Sequence, residues 1–336
     1  MKFNIKQYIV NSNPFVLITE WSKKISFPGF DRLPLYYVVS YFLRAMQKEA
    51  ITMRASSLAF NFLMAIFPAL IFIFTLIPYI PIENFQDEIF TLLQELLPHN
   101  AFEATKSTIE DILKQQRSGL LSLGFALSLY YSTNGIIAMM TAFNYSYSST
   151  ETRSEWKKRL ISLGLVAILS TLVFASVLLI IFSGTALNIL VEYGWLKGSL
   201  TVTMIQIGVW LIILLLLFFA FSFLYYYGPS KRMKYRFISA GSTLATILTI
   251  ISSMGFAYFV NNFGQYNKLY GSIGTLMVVM LWLYIASLVL LIGFELNASI
   301  SRARDCYENI DLKILDDFEQ SCPDGIIHSH ESDQKS

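Results

Sequence analysis

Charged residues are scarce in this chain of 336 residues: they make up 14% of it, whereas hydrophobic residues make up 54%. A soluble globular domain is about one quarter charged, so water is not the only solvent for which this sequence is suited. The net charge of +2 is too small to indicate a nucleic-acid partner. The N-terminal segment lacks the apolar core of a signal peptide. We therefore expect membrane insertion to depend on internal segments.

Motifs for metal or nucleotide chemistry are absent as well. The chain contains neither a Gly-rich phosphate loop of the GxxxxGK[ST] type nor an HExxH pair. Its histidines are His99, His328 and His330, and its cysteines are Cys306 and Cys322. These residues match no zinc-ligand spacing, and two cysteines do not form a disulfide framework. The sequence therefore predicts no metal site, no cofactor and no catalytic residue.

Long stretches without charge dominate what is present. Six windows contain no Asp, Glu, Lys or Arg, namely residues 55–82, 118–150, 160–191, 198–230, 237–267 and 269–294. Each exceeds the roughly 20 residues that a helix needs to cross a bilayer. We predict an all-α polytopic membrane protein with spans near 55–79, 119–143, 160–184, 202–227, 237–261 and 271–298.

Basic residues concentrate in alternate connections. The segment 144–159 carries four Lys or Arg residues and 228–236 carries four more, whereas 81–118 carries seven acids against three bases. Because basic loops stay on the cytoplasmic side, we expect both termini to be cytoplasmic. Aromatic residues at Trp156 and in the run 225–227 are placed as interface anchors.

Two segments with helical character lie outside the spans. Residues 33–43 are apolar but too short to cross, and they predict an interfacial or packed helix. Residues 81–118 show helical periodicity on both sides of Pro98 and predict a helical hairpin that caps the outer face. We divide the chain into an N-terminal cytoplasmic or interfacial segment (1–54), a transmembrane domain (55–298) and an acidic cytoplasmic tail (299–336).

Two opposite charges mark one end of the bundle. Glu295 is the only acid inside a predicted span, and Arg54 opens the first span at the same depth. An unpaired charge costs about 2–3 kcal/mol at the bilayer centre and less near an interface. We predict that Glu295 neutralises Arg54. The pair has two interpretations, a fixed helix-packing contact and a gate or ion site.

The fifth span carries five hydroxyls at spacings of three and four residues, which places them on one helical face. They are Ser239, Ser242, Thr246, Thr249 and Ser253. One interpretation is a seam of small residues where helices approach closely. The other is the lining of a polar path through the membrane. The sequence leaves both open.

Further polar residues occur in the first two spans. Ser57 and Asn61 follow Arg54 on its helical face, before Pro68 interrupts the helix. Polar side chains near the middle of the second span are expected to face the bundle interior or a cavity, and they are Ser128, Tyr131, Ser132 and Asn134. We predict a central polar pocket between the first, second and fifth spans.

The connection between the last two spans, "NNFGQYNKLYGSIG", has two interpretations. It is either a tight structural turn or an outer lid that presents hydrogen-bonding groups to a solute or headgroup. The lid candidates are Asn262, Tyr266, Asn267 and Tyr270.

Three stretches resemble the YihY/BrkB family of bacterial inner-membrane proteins: "RASSLAFNFLMAIFPALIFIFTLIP" (54–78), "STNGIIAMMTAFNYSYSSTETRSEWKKRLISLG" (132–164) and "NNFGQYNKLYGSIGTLMVVMLWLYIASLVLLIGFELNAS" (261–299). The resemblance covers about 40–300. It implies six transmembrane helices, a location in the bacterial inner membrane and a role in transport or in the envelope. Some members carry the name ribonuclease BN, which the missing metal-site chemistry of this sequence does not support.

Two functions remain open from the sequence. One is a secondary transporter or lipid-handling protein with a central polar cavity, in which Arg54 attracts an anionic solute or a lipid headgroup. The alternative is a non-transporting scaffold for envelope proteins; a ribonuclease is a remote third. The expected partners are membrane lipids and, as a homo-oligomer, further copies of the chain, but not nucleic acid.

Overall fold

The computed structural model of the chain describes residues 26, 29–30, 33–47, 50–80, 85–96, 106–107, 109–113, 115–146, 151–192, 199–230, 237–262 and 272–312. Within these residues the structure is helical and contains no strand. The helices are α1 (Leu35–Met46), α2 (Ala50–Leu76, continued by a 3₁₀ turn over Ile77–Tyr79), α3 (Phe85–Leu96), α4 (Ser118–Ser146), α5 (Glu155–Glu192), α6 (Ser199–Tyr227), α7 (Ala240–Asn262) and α8 (Ser272–Leu312).

The predicted all-α class with six spans is confirmed. Helical stretches long and apolar enough to cross a membrane are Ile51–Tyr79, Ser118–Ser146, Glu155–Gly184, Val202–Tyr227, Ala240–Asn261 and Leu276–Cys306. Each overlaps one predicted span. Their outward-facing side chains are apolar, as on α5, where Val173 and Phe174 are both 63% exposed. A helix surface of this kind is suited to contact with lipid hydrocarbon rather than with water.

The core lies where α2, α4 and α8 meet. Leu58, Met139, Phe143, Leu291 and Phe294 are all almost completely buried there. The rings of Phe143 and Phe294 stack with centroids 4.0 Å apart. The helix α8 is the central element, because α2, α4 and α7 all pack against it.

The helix α2 passes through Pro68 without a break in its assigned range. A proline inside a helix removes one backbone hydrogen bond, and neighbouring helices make this tolerable in membranes. Here α2 packs closely against α4, since a Cβ added at Gly124 would lie 3.1 Å from the backbone nitrogen of Phe72. This close approach keeps the two helices together between Pro68 and the end of α2.

The short apolar segment at 33–43 forms a helix, α1, that packs against the end of α8. Leu33 and Val38 are buried against Ile300 and Ala303. This contact gives a physical reason for α8 to continue beyond residue 298 to Leu312: its apolar stripe continues past the span and is covered by α1.

Tyr225 is not the interface anchor that the sequence predicts. Its side chain is 1% exposed, and its hydroxyl donates to the carbonyl of Leu290 at 2.8 Å. Its neighbours Tyr226 and Tyr227 are 41% and 47% exposed, and Trp156 is 87% exposed. A buried tyrosine needs a partner for its hydroxyl, and the α8 backbone supplies it.

The segment 81–118 is described in part. Its first half forms α3, and residues 109–113 are helical as expected. The side chain of Gln116 donates to the carbonyl of Pro78 at 3.2 Å, which fixes the end of this segment, just before α4, to the 3₁₀ turn that follows α2. The connection around Pro98 lies outside the described residues, so the hairpin stays a prediction.

Candidate functional site

A cluster of three charged side chains lies where α2 and α8 meet at one end of the bundle. Glu295 of α8 is 2% exposed. Its Oε1 is 2.5 Å from Nη2 of Arg302, and its Oε2 is 3.9 Å from Nη2 of Arg54. The predicted pairing of Arg54 with Glu295 is therefore confirmed, but Arg302 is the closer partner.

Arg54 also contacts the end of α4. Its Nη1 donates to the carbonyl of Ala142 at 3.0 Å and to the hydroxyl of Ser146 at 2.5 Å. Its guanidinium carbon lies 5.1 Å from the ring centroid of Tyr145, in a cation–π arrangement. Arg54 therefore connects three helices, α2, α4 and α8, through one planar group.

The two oxygens of Glu295 are not equivalent. Oε1 accepts the short hydrogen bond from Arg302. Oε2 is buried and accepts no hydrogen bond within the described part of the chain, because 3.9 Å from Arg54 is too long for one. A buried oxygen held only by a longer-range charge contact is the least satisfied acceptor of the cluster.

The start of α7 forms a second polar group, without charge. The side-chain nitrogen of Asn297, on α8, donates to the hydroxyl of Ser239 at 2.9 Å, and the backbone nitrogen of Gly241 donates to Oδ1 of Asn297 at 2.8 Å. Ser239 and Ser242 exchange backbone-to-hydroxyl bonds at 3.2 and 3.3 Å. This reciprocal pattern is a capping box, and Asn297 adds a cap from the neighbouring helix.

The hydroxyl face of α7 then follows the helix with bonds to its own backbone. Thr246 donates to the carbonyl of Ser242, Thr249 to that of Ala245, and Ser253 to that of Thr249. Ser239, Ser242 and Thr246 are buried, whereas Thr249 and Ser253 are half-buried. The hydroxyls of Thr246, Thr249 and Ser253 thus donate to the preceding turn, as serine and threonine commonly do in helices.

Small residues bring α7 and α8 into close contact beside these hydroxyls. A Cβ added at Gly241 would collide with the carbonyl oxygen of Gly293, and one added at Gly293 would lie 2.7 Å from Cβ of Ala245. Only glycine permits backbones to approach this closely. At this end of α7 the stripe has the geometry of the packing interpretation.

The polar residues of the first two spans do not reach the charged cluster. Ser57 is exposed, and Asn61 donates to its carbonyl at 2.8 Å. Ser128 is half-buried and bonds to the carbonyl of Phe125. Three more predicted residues of the same helix are also half-buried, namely Tyr131, Ser132 and Asn134. The outer-lid candidates Asn262, Tyr266, Asn267 and Tyr270 lie outside the side chains that the structure describes, so their role stays a prediction.

Sequence reasoning missed Arg302 and Asn297. Arg302 lies seven residues after Glu295, which is two helical turns and therefore the same face. This seven-residue spacing is visible in the sequence. The predicted span ended at residue 298, however, and did not include Arg302. Asn297 lies two residues after Glu295 in "FELNAS". A single neutral amide forms no periodic pattern that would mark it in the sequence.

The connection between α4 and α5 is fixed by its own ion pair. Arg153 bonds both carboxylate oxygens of Glu151, at 2.8 and 3.0 Å, and also donates to the carbonyl of Gly228 at 2.9 Å. Asn144 donates to Glu151 and accepts from the backbone nitrogen of Ser230. The hydrogen bonds from Arg153 lower the pKa of Glu151 below its usual value. This loop therefore holds the end of α6 against the end of α4.

Groups of three or more His, Cys, Asp or Glu side chains that could hold a metal ion do not occur among the described residues. The histidines of the chain lie outside the described part.

Comparison with known proteins identifies relatives of this chain. It matches the family model described as virulence factor BrkB over residues 42–313. It is 31% identical over 251 residues to a ribonuclease-like protein, YfkH, of Bacillus subtilis, in a match that covers 75% of this chain and 90% of that protein. A UPF0761 membrane protein of Alteromonas mediterranea is 23% identical over 78% of this chain and 87% of its own length. One of Aliivibrio salmonicida is 25% identical over 79% and 84%. No solved structure matches the chain.

Proposed function

The chain belongs to the virulence factor BrkB family and is a multi-pass membrane protein, and from this premise we propose that it moves an anionic solute or lipid headgroup across the bacterial inner membrane. The observation that carries the proposal is the incompletely bonded Glu295 between two arginines. Intramembrane charges of this kind mark ion and substrate pathways in membrane proteins.

The cluster acts as a gate at one mouth of the bundle. Arg54 is 14% exposed and Arg302 is 27% exposed at their side chains, so both guanidiniums remain reachable from water, whereas Glu295 is not. An arriving anion competes with Oε2 of Glu295 for Arg54, because guanidinium binds carboxylate and phosphate with the same planar fork. Loss of that contact releases α8 from α2, which opens the end of the bundle.

The orientation belongs to the same proposal. Arg54, Arg153 and Arg302 all lie at the bundle end where α2 begins and α4 ends, and basic residues favour the cytoplasmic side. Both termini are then cytoplasmic, and the gate opens inward. Reporter fusions at residue 336 and in the segment 81–118 test this placement, and an external C-terminus would contradict it.

Flux measurements in proteoliposomes test the gate. We expect uptake of at least one tested anion or anionic lipid by the wild-type protein, and loss of most of it in Arg54→Ala. Arg54→Lys keeps the charge but loses the fork, so an intermediate rate is expected. Arg117→Ala, which breaks the exposed pair with Asp111 at the other end of α4, is the matched control and should transport normally. No flux for any tested anion or lipid would count against transport.

A second candidate, a non-transporting scaffold that organises envelope proteins, has an observation of its own. The α7–α8 contact is closed by glycines, and the hydroxyls along it bond to their own helix. A solid seam needs no cavity. Absence of flux together with a stable homo-oligomer in native membranes would favour this candidate.

Enzymatic activity is not part of the proposal. The name of the Bacillus relative includes the word ribonuclease. Cleavage of RNA by this protein can therefore be tested directly. Purified protein with Mg²⁺ or Mn²⁺ and a labelled RNA is expected to give no cleavage above a buffer control; metal-dependent cleavage that purifies with the protein would contradict the assignment.

A further inference from the structure

A second cation lies against α4, away from the gate. Arg159 of α5 donates from Nη1 to the hydroxyl of Thr133 at 3.0 Å, and its guanidinium carbon is 5.2 Å from the ring centroid of Tyr130. The hydroxyl of Thr133 donates in turn to the carbonyl of Tyr130 at 2.8 Å. Its proton is therefore committed, and its lone pair is fixed toward Arg159.

No carboxylate contacts Arg159 within the described part of the chain. The basic residues near it differ in this respect: Lys158 pairs with Glu155 at 2.6 Å, and Arg153 pairs with Glu151 at 2.8 Å. Thr133 and Tyr130 are neutral, so they orient the guanidinium without cancelling its charge. Positive charge at membrane depth without an acid is costly unless something else compensates it.

The depth of Arg159 can be measured along α4. Arg54 bonds to the carbonyl of Ala142, and Arg159 bonds to the side chain of Thr133. Nine residues of helix separate these levels, which is about 13 Å at 1.5 Å per residue. Arg159 therefore contacts α4 well inside the end at which the gate lies, and it cannot share the ligands of that cluster.

The surroundings of Arg159 face hydrocarbon. Tyr130 is 53% exposed and Leu160 is 70% exposed, while Trp156, one turn nearer the start of α5, is 87% exposed. Exposed tryptophan marks the interfacial level in membrane proteins. The groove between α4 and α5 thus offers a cation at its base and apolar side chains along its rim, about one helical turn along α5 from the exposed Trp156.

The chemistry of this groove selects its occupant. A guanidinium has five N–H donors in one plane, and a single donor, on Nη1, is engaged by Thr133. The remaining in-plane donors match a phosphate, which arginine binds through a bidentate fork. A free phosphate would leave Tyr130 and Leu160 uncovered, whereas the acyl chains of a lipid would cover them. We infer that Arg159, held by Thr133 and Tyr130, binds the phosphate of an anionic phospholipid in the groove between α4 and α5.

Lipid binding by the purified full-length protein tests this site and does not depend on transport. Native mass spectrometry with equal amounts of phosphatidylglycerol and phosphatidylcholine gives the ratio of the two lipids retained. We expect the wild-type protein to prefer phosphatidylglycerol about fivefold, the factor that one surface-level basic residue contributes. Arg159→Gln should reduce the ratio to about one. Lys157→Gln removes the same charge from an exposed residue of the same helix and should keep the preference.

Three outcomes would overturn the inference. The first is an unchanged preference in Arg159→Gln, and the second is an equal loss in Lys157→Gln, which would indicate diffuse surface attraction. The third is release of the lipid by millimolar inorganic phosphate, which would indicate a site for a free anion. If Arg159→Gln does not fold, Arg159→Lys replaces it. That variant keeps the charge but loses the fork, so its ratio should fall between the wild-type value and one, and full retention would contradict the site.

Discussion

Glu295 and Asn297 stand two residues apart on α8 and build two different polar contacts. Asn297 faces α7, is neutral, and has partners on both its oxygen and its nitrogen. Glu295 faces α2, is charged, and has one oxygen that accepts no hydrogen bond among the described residues. Both side chains are almost completely buried.

The two contacts differ in how completely their polar atoms are hydrogen-bonded. Every polar atom lost from the α7–α8 seam leaves a buried partner unsatisfied, so the seam has one stable arrangement. The charged cluster contains two arginines around one carboxylate, and in the proposed gate a competing anion displaces this carboxylate from Arg54. One helix thus carries a fully hydrogen-bonded polar contact on one face and an incompletely bonded charged one on the other.

The largest expected effect comes from removing the carboxylate. Glu295→Gln leaves Arg54 and Arg302 close together without an acid between them, and removing one partner of a buried ion pair typically costs about 3 kcal/mol or more. Because both guanidiniums reach water, we expect the lower end of that range, measured by thermal unfolding in detergent.

A double variant sharpens this result. Glu295→Gln combined with Arg54→Gln removes the uncompensated cation and should recover part of the lost stability. Arg302→Gln alone should cost less than Glu295→Gln, since Arg54 remains to neutralise Glu295. If the double variant is as unstable as the sum of its single changes, the three side chains do not act as one cluster.

The next effect concerns the seam. Gly241→Ala places a methyl group against the carbonyl of Gly293, so α7 and α8 must separate, and overpacking of this kind costs about 1–3 kcal/mol. Gly255→Ala on the same helix is the matched control, because a Cβ there meets nothing within 4 Å. It should be neutral or stabilising. Equal midpoints of thermal unfolding for the two variants would contradict a closed seam.

A smaller loss is expected from Asn297→Ala, which leaves the backbone N–H of Gly241 and the hydroxyl of Ser239 without their partner from α8. An unsatisfied buried polar group costs about 1–3 kcal/mol, part of which a water molecule can restore. Asn134→Ala, at a half-buried amide of α4, serves as control. A variant that unfolds at the wild-type temperature would show that the cap contributes nothing to the seam.

The smallest effect is a dependence on pH at the α4–α5 loop. The pKa of Glu151 is lowered in the folded protein, chiefly by its hydrogen bond from Arg153. Its contribution to stability is therefore complete above the unfolded pKa, near 4.5, and is lost as the pH falls from there through the lower folded value. Between pH 6 and pH 3.5 the wild-type protein should lose more stability than Glu151→Gln. Parallel unfolding curves for the two proteins would contradict this contribution.

Much of the fold follows from the absence of charge. Windows longer than a bilayer crossing predict each span, and the structure confirms all six. The ends of the helices are less predictable, because they depend on contacts between distant segments. The extension of α8 past residue 298 is an example, since it is covered by α1 through Leu33 and Val38. Tyr225 is another, because its burial depends on the carbonyl of Leu290 rather than on its position near a span end.

The candidate site was predictable where opposite charges were few. With one acid in the spans, the pairing of Glu295 with Arg54 followed from depth alone. The sequence could not show that Arg302 lies closer to Glu295 than Arg54 does, because this depends on how far the side chains reach along α8. It could not separate packing from a polar path at Ser239 and Ser242 either, since hydroxyl periodicity is the same for both. The glycine contact between α7 and α8 distinguishes them there.

The length of α8 has a mechanical consequence. With 41 residues, it measures about 60 Å, roughly twice the hydrocarbon thickness. A rigid rod of that length converts a tilt of about 5° into a displacement of roughly 5 Å at its far end. Glu295 and Arg302 lie in the half of α8 that packs against α1, so a tilt of α8 about its start at Ser272 displaces the charged cluster and α1 together.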